Sequence, residues 1–376
     1  MAGRKRVAGS MTTLAVVTLL MCTPAAPSVQ AAPDAGPPTT VSPDPAPPNP
    51  VSPTTDSPQT ADPDTTGDPR SARGTSNGSD RSRAYVMSST PFGGRERLKV
   101  WSPAMARPVT VDVQRPSSSA TGSRPTLYML DGAEAHTEES GWYAMTDLAT
   151  LAAGDELTVV TPVGDPHSYY TDWRAVDPGV GKKYMYETFL TRELPPLIDG
   201  EFGGNGRNAI AGASMGGVAA LTLAARHPSL YRGVAGFSNC ANISSLQNQL
   251  LTSWDVSRGG GDAANMWGPV GDPAWADHDP YLLAEKLRGR TIYLSTGNGL
   301  PGKYNNLLGD PVDETFRGII GELGSSFCTR QMTARLSSLG IPYTANLHTT
   351  GTHKWGYWKD ELAIAWPVLM RSLGLR

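Results

Sequence analysis

Residues 208–228, NAIAGASMGGVAALTLAARHP, change character halfway. The stretch opens as a short apolar run suited to a buried strand, crosses Gly212-Ala213-Ser214-Met215-Gly216, and continues as an alanine- and leucine-rich helical pattern with no loop between. G-x-S-x-G between a strand and a helix is the context of a nucleophile elbow. The sharp turn lifts the serine hydroxyl above the sheet, and the two glycines leave room for the neighbouring backbone. The helix that follows aims its positive end at Ser214, and the amide of Met215 is placed to stabilise an oxyanion.

Around this corner, apolar runs alternate with helical patterns. Two early strands are read in RLKVWSPAMARPVTVDVQRP, and single buried strands in PTLYMLDG, LTVVTPVG, NAIAGAS, YRGVAGFS, TIYLSTGNG and PYTANLHTT. Helices are read in KYMYETFLTRELPPLIDGEF, in residues 216–226, in YLLAEKLRG, in ETFRGIIGELGSSFCTRQMTARLSSLG and in WKDELAIAWPVLMRSLG. Such alternation predicts an α/β fold, a mostly parallel central sheet with helices on both faces. Chemistry in such sheets gathers at the carboxyl ends of the strands.

The amino-terminal part reads differently. Arg4, Lys5 and Arg6 precede an apolar run too short to span a membrane, and a small-residue stretch ends at Ala31-Ala32, so residues 1–31 are expected to be a signal peptide for export. Residues 32–83 are rich in proline, serine, threonine and aspartate and are expected to be a disordered linker, leaving 84–376 as one catalytic domain. Neither this nor any later segment reads as a transmembrane helix. The net charge of −3 over 376 residues argues against a nucleic-acid partner. Of three cysteines, Cys22 falls in the export segment. Cys240 and Cys328 remain, and in an exported chain the pair is read as a disulfide, worth about 4 kcal/mol on the chain-entropy model.

A serine hydroxyl needs a base and an orienting acid, in the chain order serine, acid, histidine. Of six histidines, His136 and His167 precede the serine, His227 ends the elbow helix, and His278 opens a helical pattern. His353 falls in the loop between the last strand and the last helix, where the base belongs, with His348 in reserve. The acid should follow TIYLSTGNG, and Asp310, Asp313, Glu314 and Glu322 are all eligible.

The strings PTLYMLDG, PVGDPHSYYTDW, YETFLTRELPPLI, GASMGGVAALTLAARHP, NMWGPVGDPAW, GNGLPG and GTHKWGYW together resemble the mycolyltransferase family of the antigen 85 complex, particularly its corynebacterial-type members. The similarity spans about 84–375 and implies an α/β-hydrolase fold, export to the cell envelope, and an acyltransferase needing no cofactor and no metal. The implied reaction moves a mycoloyl chain from trehalose monomycolate to trehalose glycolipid, arabinogalactan or another envelope hydroxyl; the chain is separately expected to act as a monomer. A secreted carboxylesterase on the same fold is the alternative.

Residue by residue, the resemblance implies Ser214 as nucleophile, His353 as base and Glu322 as acid, in a helix running towards Cys328. It implies Ala133 as the second oxyanion amide, and Asp131, Trp355 and Trp267 at the substrate; the cysteine pair would brace the helix of Glu322. Trp142, Trp173 and Trp358 are further candidates for a sugar-lining wall. Two departures stand out: Glu134 occupies a position where the antigen 85 proteins carry arginine, and Gly216-Gly217 replace bulkier small residues.

Overall fold

The computed structural model describes residues 82–116 and 122–376. The expected signal peptide, and the linker up to residue 81, lie outside the described residues.

Nine strands among the described residues join in one sheet. They are β1 (Tyr85–Phe92), β2 (Arg95–Ser102), β3 (Arg107–Gln114), β4 (Arg124–Leu130), β5 (Thr158–Val163), β6 (Gly204–Ala213), β7 (Tyr231–Phe237), β8 (Thr291–Thr296) and β9 (Thr344–Leu347). Their order is β1-β2-β3-β5-β4-β6-β7-β8-β9. β1, β2, β3 and β5 pair antiparallel, whereas β5, β4 and β6 to β9 run parallel.

The parallel strands are covered on both sides, which is why they read as unbroken apolar runs. Ala209, Ala211 and Ala213 of β6 pack in one cluster with Leu362, Trp366 and Leu369 of the last helix. Ile210, between them, belongs to the opposite cluster with Leu221 and Leu223 of the elbow helix. The helices that matter for the site are α1 (Gly141–Met145), α2 (Leu148–Ala153), α3 (Leu194–Phe202), α4 (Met215–Arg226), α5 (Leu246–Arg258), α6 (Val312–Ser338) and α7 (Trp355–Leu373). This is the layered α/β architecture that the alternation predicts.

Several elements differ from the sequence reading. β1 carries a polar YVMSSTPF sequence and is exposed along most of its length, so it has no apolar alternation to betray it. α5, with sequence LQNQLLTSWDVSR, buries only Gln249, Thr252 and Val256, and was not anticipated. YLLAEKLRG forms only one 3-10 turn, over Ala284–Leu287. Ahead of α3, the segment Phe189–Glu193 widens so that the Leu194 amide reaches back to Phe189 O. The prolines that follow cannot donate an amide to a regular turn, and a local change of pitch absorbs the mismatch.

The elbow depends on contact between backbones. A Cβ on Gly212 would lie 2.3 Å from the carbonyl carbon and oxygen of Gly216, and one on Gly216 would lie 2.5 Å from Leu130 O and Asp131 O. No rotamer relieves a clash with main chain. Gly212→Ala is therefore expected to lower unfolding free energy by about 3 kcal/mol or more, read as a shift of the urea midpoint; an unshifted midpoint would contradict the close approach.

Candidate active site

Ser214 sits between β6 and α4 with φ 55° and ψ −118°, a left-handed backbone that a side chain seldom adopts. Its amide donates to Phe237 O (2.8 Å), which ties the corner to the end of β7. The amide of Met215, first in α4, and that of Ala133 donate no hydrogen bond among the described residues. Gly132, which precedes Ala133, lies against the corner, since an atom at its Cβ position would be 3.6 Å from Ser214 Cβ. The loop that carries Ala133 is tied down, because the His167 amide donates to Ala133 O (3.0 Å).

Glu322 and His353 meet at the next strand ends. Glu322 projects from α6 and is 1% exposed. Its Oε2 lies 2.8 Å from His353 Nδ1, while Oε1 accepts from Ser238 Oγ (2.8 Å), Thr296 Oγ1 (3.0 Å) and the Gly297 amide. Burial works to raise its carboxyl pKa, but the bonds from His353, Ser238 and Gly297 outweigh burial and hold it below the usual carboxylate range. A carboxylate only accepts, so the neutral imidazole carries its proton on Nδ1 and leaves a lone pair on Nε2. Neither Nε2 nor Ser214 Oγ has a hydrogen-bond partner among the described residues. Of the four acids left open by position, Glu322 alone reaches the histidine; Asp310 and Glu314 pair with Lys354, and Asp313 with Arg317.

Ser238 and Thr296 were not anticipated. Both sit at carboxyl ends of strands, the one signal that could have marked them. Ser238 is held at φ 46°, accepts from Trp358 Nε1 (2.9 Å), and donates to Glu322. The Trp358 ring also meets His353 edge-on at 4.9 Å. The disulfide forms as expected: Cys240, just past β7, bonds Cys328 of α6, with Cα atoms 4.7 Å apart. It ties the helix of Glu322 to the strand end that carries Ser238.

The remaining expected residues divide. Trp355 begins α7, half-buried, with its ring edge-on to Trp142 and Trp358 and filling the space that a side chain on Gly141 would need. Trp142, Trp173 and Trp358 are core rings, each with its indole N–H bonded to protein. Trp267 is corrected in the same way. It is 2% exposed, stacked on His278, edge-on to Tyr169 and Trp275, and bonded to Thr171 Oγ1, so no ring face is open to a sugar. His278 closes a short helical turn rather than opening one, and with His227 it faces Glu187. His348 follows β9 and pairs with Glu361, away from Glu322.

Asp131 is 1% exposed; Oδ1 accepts from Ser140 Oγ (2.9 Å) and Oδ2 is buried without a partner. Burial pushes its pKa up to about 7, against the lowering pull of Ser140 and the Gly141 and Trp142 amides. The sign of the stability effect follows from which state ionises first. As pH rises from about 4, the unfolded chain loses this proton while the fold retains it until about 7, so stability falls across that window. Asp131→Asn should flatten the decline in urea midpoints over that range; an unchanged slope would contradict it. Beside it, Glu134 is paired with Arg258 of α5, which holds its carboxyl below the usual range.

A layered sheet with a strained serine at a strand-to-helix corner defines the class: an α/β-hydrolase. Residues 102–368 match the Esterase family, described as putative esterase. Among curated proteins, the chain is 35% identical over 291 residues to the diacylglycerol acyltransferase/mycolyltransferase Ag85B of Mycolicibacterium smegmatis, covering 74% of this chain and 85% of that one. It is 34% identical to the Ag85A protein of Mycobacterium ulcerans, covering 74% and 82%. The crystal structure of Mycobacterium tuberculosis MPT51 (FbpC1) superposes with a TM-score of 0.63 at 26% identity, over 76% of this chain and 99% of that one. An S-formylglutathione hydrolase from Agrobacterium tumefaciens shares the fold, with TM-score 0.57 and 18% identity over 77% and 99%. The chain belongs to the antigen 85 mycolyltransferase family, within the broader esterase family.

Proposed function

We propose that the chain is an exported serine acyltransferase that moves a mycoloyl group from trehalose monomycolate to trehalose glycolipid, arabinogalactan or another envelope hydroxyl. Its relatives carry the name diacylglycerol acyltransferase/mycolyltransferase. The observation that carries the reading is the buried Glu322 carboxylate bonded to His353 Nδ1, at the strand ends adjoining the strained Ser214.

In the first half-reaction His353 Nε2 takes the proton of Ser214 as Oγ attacks the donor's ester carbon, and Glu322 stabilises the imidazolium. The amides of Met215 and Ala133 bind the oxyanion; each such donor is typically worth about 10²–10³-fold in rate. The ester C–O bond then breaks, and the leaving trehalose oxygen takes the proton from His353, leaving an acyl ester on Ser214. An acceptor hydroxyl gives its proton to His353, attacks that ester, and restores the serine. Half-buried Trp355 flanks the acceptor side, whereas the Asp131 carboxyl is buried against Ser140 and does not reach it.

The test is incubation of the purified chain with trehalose monomycolate alone, with glucose, and with arabinogalactan fragments, followed by identification of the esters. New esters are expected. Free acid as the sole product with every acceptor would instead support the esterase reading, in which water takes the acyl group. The same proposal takes residues 1–31 as the export signal and 32–83 as a tether. Mass spectrometry of the exported protein should find a mature terminus at Ala32 or Pro33; secreted protein retaining Met1 would contradict it.

A further inference from the structure

Between β8 and α6, residues 297–311 form a loop whose tip is a closed turn. The Gly309 amide donates to Asn306 O (3.0 Å), the Asp310 amide donates to the same oxygen (2.7 Å), and the Asn306 amide donates back to Asp310 Oδ2 (3.1 Å). The central residues of that turn are Leu307 and Leu308, where polar or glycine residues are usual. Leu307 is 63% exposed and Leu308 is 102% exposed, so the first is mostly and the second wholly open to solvent. Leu300, lower in the loop, and Val312, first in α6, are exposed at 58% and 84%. Single exposed apolar residues need no explanation, but four gathered within thirteen positions do.

The loop is braced against the segment that carries His353. Gly299 and Leu300 exchange backbone bonds with Gly351 (2.8 Å each), Asn305 Nδ2 donates to Thr352 Oγ1 (2.9 Å), and Tyr357 Oη donates to Asn305 Oδ1 (2.7 Å). Lys354 pairs with Asp310 at the base of the turn. The leucines are thus held out rigidly at the same rim as the imidazole.

Resting on the acyl-transfer reading above, we propose that this turn docks the protein on a lipid surface of neutral headgroups, bringing the site to acyl chains that do not leave that surface. Burying leucine side chains in a hydrocarbon boundary is favourable in proportion to the apolar area removed from water. The charges around the turn argue for neutral lipid. Lys303 pairs with Asp360, Lys354 with Asp310 and Glu314, and Arg317 with Asp313, leaving no uncompensated basic collar around the turn among the described residues to seek anionic headgroups. The chain's own tether is a poor alternative cover, since residues 32–81 contain no leucine, isoleucine, methionine or aromatic residue.

The experiment compares the full chain with the double variant Leu307→Ser/Leu308→Ser in sedimentation with phosphatidylcholine vesicles, at low and high salt. The unaltered chain should bind at both, and the variant at least about tenfold more weakly. Turnover of an ester carried in the vesicles should fall in parallel, while turnover of soluble p-nitrophenyl butyrate and labelling by a fluorophosphonate stay unchanged. Equal vesicle binding by both proteins would overturn the proposal. So would binding only to anionic vesicles that salt abolishes, or a leucine-dependent dimer that ignores vesicles. Failure of both the soluble ester and the fluorophosphonate in the unaltered chain would sink the acyl-transfer reading instead, whatever the vesicles show.

Discussion

Ser214→Ala should lower ester transfer by about 10⁴-fold or more and leave the thermal midpoint nearly unchanged. On the proposed mechanism the rate falls because the attacking hydroxyl is removed. Stability is preserved because the Ser214 hydroxyl has no hydrogen-bond partner among the described residues, so its removal leaves no polar group stranded. Alanine keeps the same Cβ at φ 55° and inherits the same strain, neither relieved nor increased. Labelling by a fluorophosphonate should vanish in the variant and, in the unaltered chain, map to this residue alone. Transfer at the original rate in the purified variant would remove Ser214 from the mechanism.

Glu322→Gln is expected to lower the rate by about 10⁴-fold through the tautomer of a ring it does not replace. The Oε1 position accepts from Ser238, Thr296 and Gly297, so a glutamine must put its carbonyl oxygen there. Its NH₂ group then faces His353 Nδ1 and forces that nitrogen to accept. The proton moves to Nε2, and the lone pair that would take the serine proton is lost. Acid stability should change as well. The depressed Glu322 pKa contributes stability present above the ordinary glutamate range and lost as pH falls through the folded value; the variant loses that part of the acid dependence. Crystals of the variant with unchanged backbone and full activity would contradict the assignment.

Much of this arrangement is local and can be read along the chain. The strand, the G-x-S-x-G corner and the helix around Ser214 are contiguous, so one stretch of residues 208–228 specifies the corner and, by its apolar pattern, the parallel sheet beneath it. His353 is proposed as the base from chain order, since it lies between the last strand and the last helix. The resemblance was needed to choose Glu322 among four acids, because the choice turns on which carboxylate faces the ring. Three of the four sit on lysine or arginine at the surface, and only α6 in three dimensions shows which one is buried.

What the chain by itself determined is therefore the layered α/β class, the serine at the strand-to-helix corner and the loop position of His353: each rests on short-range periodicity or on order along the chain. Tertiary structure alone decided the Ser238–Trp358 support behind Glu322, the core role of Trp267, the elevated carboxyl of Asp131, and the exposed leucines on the loop braced to the His353 segment. These depend on burial and on hydrogen bonds between residues up to 120 positions apart. Residue type says what a side chain can do; what it meets is settled only when distant strand ends arrive at one rim.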